Sequence, residues 1–259
     1  MADDDRGRRS VKVLATYSIK GGVGKTASAV NLAYEAARGG ARVLVWDLDP
    51  QGAASFYFRI KPRLKGGTER LVGAKGELAP HVRGTDIQAL HLVPAHFSLR
   101  HLDLHLDNTK RPTRRLASLL APLADQYDVA LLDCPPSISL ASESVFGSAD
   151  ALLVPVIPTT LSARTLAQLV GFLDDQPSAP TILPHFAMVD RRKKLHRDQL
   201  EHLTTAWPMF LSTAIPAASA VERMGIEKAP VAAFAPKTPA AVAFHDLWTE
   251  IAGRLWPSR

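Results

Sequence analysis

Apolar residues along this chain fall into short runs that alternate with longer, helix-like stretches. Residues 11–17 (VKVLATY) form a short apolar run that ends at a cluster of glycines. Lys25–Arg38 then has helical composition and stops at Gly39-Gly40, a helix C-terminal signal. Residues 42–46 (RVLVW) form a second apolar run, which ends at Asp47. Strand, glycine loop, helix and strand therefore follow one another from the start. That order predicts a β-α-β unit, a parallel sheet and a right-handed crossover.

The alternation continues. Strands are expected at 86–93, at 128–132 (DVALL, ending at Asp133) and at 151–157 (ALLVPVI). Another is expected at Thr181–Val189, although Pro184 lacks the N–H that a ladder needs. Helices are expected over 114–125, 163–174 and 240–255. In the last of these, Phe244, Leu247, Trp248, Ile251 and Leu255 recur at helical spacing. Residues 59–80, broken by Gly66-Gly67, Gly73 and Gly76, read as loop or short irregular helix. No internal repeat and no linker interrupts the pattern. The expectation is a flexible tail over residues 1–10 and a single α/β domain over 11–259. Its core would be a mostly parallel twisted sheet with helices on both faces.

Composition narrows the picture. The chain has 259 residues and 46% hydrophobic content, enough for one large α/β domain. No window of about 18 apolar residues exists, so no membrane span is expected. The first residues, MADDDRGRRS, lack the apolar stretch of a secretory signal, which predicts a cytoplasmic protein. A single cysteine, Cys134, excludes an intrachain disulfide and a multi-cysteine metal site within one chain. It follows a strand directly and reads as a structural thiol. The net charge of +6 suits a plain basic enzyme, or one with a polyanionic partner such as nucleic acid or an anionic membrane face.

The chemistry concentrates at three strand ends. After the first run comes Ser18-Ile19-Lys20-Gly21-Gly22-Val23-Gly24-Lys25-Thr26. Gly21, Gly22 and Gly24 let the backbone approach a phosphate and aim N–H groups at it. The helix that follows adds its positive end. Lys25 can neutralise phosphate charge, and the Thr26 hydroxyl can ligate Mg2+. The usual phosphate-loop pattern places glycine at position 19, where this chain has Ile19, and Lys20 is an additional cation. Asp47 and Asp49 lie just past the second strand, and Asp133 just past another. Strand C-terminal ends converge on the ligand crevice of a parallel sheet. Three acids there suit a hydrated Mg2+ and a positioned water.

These residues carry a resemblance. KGGVGKT (20–26), VNLA (30–33), RVLVWDLDPQG (42–52) and LLDCPP (131–136) resemble the ParA/MinD family of deviant-Walker P-loop ATPases. The similarity runs over roughly residues 11–255. VPVIPTTLSA (154–163), MVDRR (188–192), Ile215-Pro216 and Ala229-Pro230-Val231 resemble the ParA side more than the MinD side.

The resemblance implies ATP and Mg2+ as cofactors, and slow ATP hydrolysis stimulated by a partner. It implies that Lys20 reaches the phosphates of a second subunit in an ATP-dependent homodimer. Lys25 acts in its own subunit, and Asp49 helps activate water. Thr26, Asp47 and Asp133 hold Mg2+, the acids largely through its waters. Further nucleotide contacts fall at Gly21, Gly22, Val23, Gly24, Ala27, Arg191 and Pro216.

It also implies non-specific DNA as a partner, hence nucleoid association, and a cargo-linked protein that triggers hydrolysis. The cargo would be a plasmid, a chromosome or a protein body. Two basic clusters are available: Arg59, Lys61, Arg63 and Lys65; and Arg191, Arg192, Lys193, Lys194 and Arg197. The family binds DNA through its C-terminal half, so the candidates are Arg191, Arg192, Lys193, Lys194 and Arg223. The chain departs from a common family pattern after Ile215-Pro216, where AASAVERM leaves only Arg223.

The alternative is a MinD-like ATPase acting at a membrane surface. Core packing suits the tail helix better, because its polar face carries Asp246 and Glu250 beside Arg254. A non-hydrolysing scaffold is disfavoured by the intact Lys20, Lys25, Asp49 and Asp133. His101 and His105 have the spacing of a helical metal pair, but no third ligand is evident.

Overall fold

The computed structural model describes residues 11–176 and 178–256; the expected tail over 1–10 lies outside them. Eight strands form one sheet: β1 (Lys12–Thr16), β2 (Val43–Asp47), β3 (Arg83–Gly84), β4 (Leu90–Val93), β5 (Val129–Asp133), β6 (Ala151–Val156), β7 (Thr181–Val189) and β8 (Ala214–Pro216). Their spatial order is β3-β4-β2-β5-β1-β6-β7-β8. Every neighbouring pair is parallel except β3 and β4. This is the doubly covered α/β architecture that the sequence predicts.

The central strands read as near-continuous apolar runs because helices cover both faces. All five residues of β2 and of β5 are buried. Alternate residues feed two cores. Tyr17, Trp46, Leu132 and Leu152 enter one, while Leu14, Val45, Leu131 and Leu153 enter the other.

Helix α1 (Lys25–Arg38) packs across the second core. It ends on Gly40, whose φ of 92° is the left-handed geometry that glycine adopts without strain. The short helices α2 (Ala53–Tyr57), α3 (Gly67–Val72), α4 (Leu102–Asp107) and α5 (Arg115–Leu120) follow. Then come α6 (Leu140–Phe146), α7 (Thr160–Asp174) and α8 (Lys194–Ala206). The last four are α9 (Ser219–Glu222), α10 (Met224–Glu227), α11 (Val231–Phe234) and α12 (Pro239–Leu255).

Several boundaries differ from expectation, each for a physical reason. The helix expected over 114–125 stops at Leu120 and continues as a 3-10 turn, Ala121–Leu123, because Pro122 has no N–H for the α ladder. The strand expected over 86–93 is β4 alone. The Thr85 hydroxyl accepts the Ile87 N–H and Ala89 takes a φ of 62°, which makes the preceding segment a turn. Residues 59–80, read as loop or short irregular helix, hold the six-residue α3. Helix α7 starts three residues before the expected position, where the Thr159 hydroxyl accepts the Ser162 N–H. Helices α2, α6, α8, α9, α10 and α11 and strands β3 and β8 were not anticipated.

Pro184 sits inside β7 without cost to the sheet. Its carbonyl accepts the Leu211 N–H on the β8 side. The N and C=O of one strand residue face the same neighbour, so the missing donor points at the loop before β8 rather than at β6.

Helix α12 lays its apolar stripe on the second core, with Phe244, Leu247 and Ile251 at 1% exposure or less and Trp248 and Leu255 partly buried. It contacts α1 and β8. Truncating a fully buried leucine costs about 2–5 kcal/mol. We therefore expect Leu247→Ala to lower stability by that amount in urea unfolding, whereas Val242→Ala, at an exposed position of the same helix, leaves the midpoint nearly unchanged.

Candidate functional site

The loop between β1 and α1 sits at the edge where the parallel strands end. Gly22 and Gly24 have φ values of 71° and 97°, so the loop uses conformations in which other residues are strained. No side chain caps the N-terminus of α1. Its first-turn N–H groups therefore remain available to an anion. Ile19 packs against the first core, which accounts for an apolar residue where the usual pattern has glycine.

Lys25 is 7% exposed and donates to the Lys20 carbonyl at 3.1 Å. Burial pushes its ammonium below the usual lysine range, and Asp133 opposes that shift. The ammonium of Lys20 makes no ion pair among the described residues.

The acids converge as predicted. Asp47 and Asp133 are partners in the β2–β5 register and both are fully buried. The Asp47 Oδ2 accepts from the Ser55 N–H at 2.8 Å and the Ser55 hydroxyl at 2.7 Å. Its Oδ1 accepts the Asp49 N–H at 3.3 Å. Burial nevertheless pushes the Asp47 carboxyl up to about 6. Burial first, and then Asp47, push Asp133 up as well, while the nearby Thr26 hydroxyl and the Lys25 ammonium oppose that shift. The Asp133 Oδ1 accepts from the Thr16 hydroxyl at 3.3 Å, and its Oδ2 has no hydrogen-bond partner.

A buried carboxylate oxygen without a donor is costly unless something cationic completes it. A hard divalent cation with oxygen ligands fits that place. Thr26, Asp47 and Asp133 are the residues that would hold Mg2+, directly or through water. Asp49 is partly exposed beside them, with its Oδ1 accepting the Gln51 N–H.

A family model described as "AAA domain" matches residues 11–178. "Chromosome partitioning protein ParA" of Myxococcus xanthus is 34% identical over 66% of this chain and 61% of its own length. The chain thus spans less than two thirds of the curated relatives that it matches at 34% identity. "Chromosome-partitioning ATPase Soj" of Treponema pallidum is 28% identical over 94% of this chain and 98% of its own length. A crystal structure of cobyrinic acid a,c-diamide synthase from Mycobacterium smegmatis, with bound ADP and magnesium, superposes with a TM-score of 0.80. It is 25% identical and covers 96% of this chain and 97% of that one. The chain belongs to the ParA/MinD family of P-loop ATPases.

In this P-loop ATPase the phosphate loop opens on one side into a cleft of about 150 Å³. Gly24, Ala27, Met188, Pro216 and Val221 are among its walls. Pro216 thus lies beside the phosphate loop, as the resemblance implies for a nucleotide contact. Val23 is buried beneath the loop. Arg191, on the loop after β7, does not line the cleft. It is exposed together with Arg192, Lys193 and Lys194. Arg192 is fastened to Asp190 by two side-chain bonds, and Arg223 is paired with Glu227. In the other basic cluster, Arg59 is paired with Asp86. The His101 and His105 rings lie edge to face at 6.5 Å. Cys134 is buried next to the site, with burial pushing its thiol up.

The supporting residues of the site were not assigned roles from the sequence. Ser55 clamps Asp47, and its oxygen also accepts the Ala95 N–H at 2.9 Å. Asn31, in the first half of α1, accepts the Val231 N–H and donates to Ala27. Met224 packs within 3.3 Å of the same amide. His185 on β7 lies 3.2 Å from the Ser28 hydroxyl, with its Nδ1 unpartnered.

Burial holds His185 down to about 4, against 6.5 for the free side chain. The folded state thus keeps it neutral while the unfolded chain takes up a proton below 6.5. Stability from this group is complete above that value and is lost as pH falls toward 4. Between pH 7 and 5 the loss is about 2 kcal/mol. We expect urea-unfolding free energies to fall by that much more in the wild type than in His185→Gln over this interval. Equal slopes for the two proteins would contradict the assignment.

Proposed function

We propose that this chain is an ATP-hydrolysing positioning switch of the ParA type, with ATP and Mg2+ as cofactors. The observation that carries the reading is the pairing of two lysines on one glycine loop with a buried acid pair. Lys25 is buried within its own site, while Lys20 is partly exposed and without an ion-pair partner. Asp133 presents an unpaired oxygen to the same space.

Mg2+, when bound between Thr26 and the two acids, supplies charge neutralisation for the transferring phosphoryl group. The protein's own part is to hold phosphates on the loop N–H groups and the α1 terminus. Asp49 orients the attacking water from the partly exposed edge. Charge stabilisation in the transition state is the main lever in such reactions. A lysine supplied by a second subunit makes that lever conditional on dimerisation. Lys20 is that residue, so ATP binding holds a homodimer together and hydrolysis releases it.

The ATP-bound dimer holds non-specific DNA, mainly through Lys193 and Lys194, with Arg191, Arg192 and Arg223 around them. Contacts of this kind go to phosphates and weaken steeply with salt. A partner linked to a plasmid, chromosome or protein body stimulates turnover and thereby positions that cargo. Relatives named as chromosome-partitioning proteins support this reading. Supporting DNA over a membrane surface, the apolar stripe of α12 is packed into the core. In addition, no described helix is long and apolar enough to cross a bilayer.

Lys20→Ala should still bind ATP but form no ATP-dependent dimer, as measured by light scattering; a normal dimer in this variant would remove the central claim. Sedimentation with DNA or with anionic liposomes, each with ATP, separates the two surfaces. We expect DNA to carry the protein down, and Lys193→Glu/Lys194→Glu to weaken that binding by at least roughly tenfold with a shallower salt slope. Co-sedimentation with liposomes instead would favour the MinD-like reading.

A further inference from the structure

A second cleft, lined by none of the phosphate-loop residues, lies elsewhere in the fold. It has a volume of about 1070 Å³ and runs between α3, α4 and α5. Its place in the fold follows from the connections. The segment between α4 and α5 crosses the C-terminal end of α6, where the Thr113 carbonyl fills the space that a Cβ on Gly147 would need. Helix α6 leads into the start of β6. Parallel strands start at the edge opposite their ends, so this cleft opens at the edge away from Asp47 and Asp133.

Its apolar lining is small, with Val72 buried, Ala117 partly buried, and Ala74 and Ala121 exposed beside them. Its rim is cationic, with Lys110, Arg111 and Arg114 exposed and His105 beside them. Glu69 is the one acid in the lining. Lys110, Arg111 and Arg114 enter no ion pair among the described residues. By contrast, Arg59, Arg192 and Arg223 elsewhere on the surface are each neutralised by an acid.

The cleft is also preformed. The Arg115 guanidinium donates to the Val72, Gly73 and Gly76 carbonyls, tying α5 to the turn after α3. That turn is tight, since a Cβ on Gly76 would fall 1.7 Å from the Leu71 carbonyl oxygen. A rigid groove avoids the ordering cost that weakens binding to mobile surfaces.

We infer that this cleft docks an acidic, amphipathic peptide segment of a partner protein, placing its apolar side on Val72 and the neighbouring alanines and its carboxylates against Lys110, Arg111 and Arg114. At about 1070 Å³ the cleft lies at the top of the roughly 300–1,000 Å³ range of small-molecule pockets. A nucleic-acid backbone would gain nothing from an apolar lining and would be repelled by Glu69. An amphipathic segment uses both features, in the manner of a helix laid in a groove. The site is independent of the ATP chemistry, so it can hold a partner whatever the state of the nucleotide.

The test is fluorescence anisotropy with a labelled amphipathic peptide, leucine on one face and glutamate on the other. The expected result is binding that weakens at least roughly tenfold in Arg111→Glu/Arg114→Glu and falls with added salt. Lys110→Glu alone should weaken it by a smaller factor, and the same peptide with lysine for glutamate should not bind. ATP turnover of these variants should match the wild type. An affinity unchanged by Arg111→Glu/Arg114→Glu would overturn the inference, as would equal binding of the lysine peptide. So would a double variant that loses ATP-dependent DNA binding while keeping the glutamate peptide, since the rim would then be a DNA surface.

Discussion

The carboxylates of Asp47 and Asp133 stand side by side at the ends of β2 and β5, buried and in register. Much of the site depends on that juxtaposition. Two ionised acids so placed repel each other, and burial raises the free energy of both. Two serine donors ease Asp47, while one oxygen of Asp133 has no donor at all. The Lys25 ammonium helps, yet burial weakens its own charged form. The fold therefore keeps an arrangement that a divalent cation would relieve. A core built for stability alone would place apolar residues at these positions. Perturbed acids gathered at the rim of a parallel sheet mark a working site rather than a structural one.

Helix α1 carries the consequences of that site into the rest of the molecule. Its open N-terminus faces the phosphate loop, and its body is bonded to four separate elements. Ser28 meets His185 on β7, and Asn31 holds the backbone at Val231 and touches Met224 on α10. Glu35 is shared by Arg38 on α1 itself and His245 on α12. The segment that forms the cleft beside Gly24 is thus fixed to the same helix that presents Lys25. Buried polar ties of this kind specify a geometry more than they add stability.

The phosphate loop and the acids were legible because their signals are local. A glycine run after an apolar strand, and an aspartate at a strand's last position, can each be read within a few residues. Ser55 was not legible. It meets Asp47 only because α2 folds back over the end of β2, and its second contact, Ala95, lies far along the chain. Helix α8 was obscured by its own N-terminus, since Arg191 to Lys194 read as surface charge. The α5 boundary turned on Pro122, whose effect is local but was outweighed by the leucines around it. Ile19 looked like a lost glycine; its side chain packs into the core, so the exchange is compatible with an intact loop.

The net charge of +6 acquires a distribution once the pairs are removed. Arg42, Arg59, Arg192 and Arg223 are each held by an acid and contribute little to a distant polyanion. Lys193 and Lys194 remain at the edge where the nucleotide cleft opens. Lys110, Arg111 and Arg114 remain at the opposite edge. Fields from exposed charges fall off within a Debye length of about 8 Å at physiological salt, so the two patches act separately. The first lies on the loop after β7, whose last residue pairs with Pro216 of the cleft beside the phosphate loop. The second lies on the segment between α4 and α5, with no element in common with the phosphate loop. The sheet, by having two edges, keeps the two patches apart.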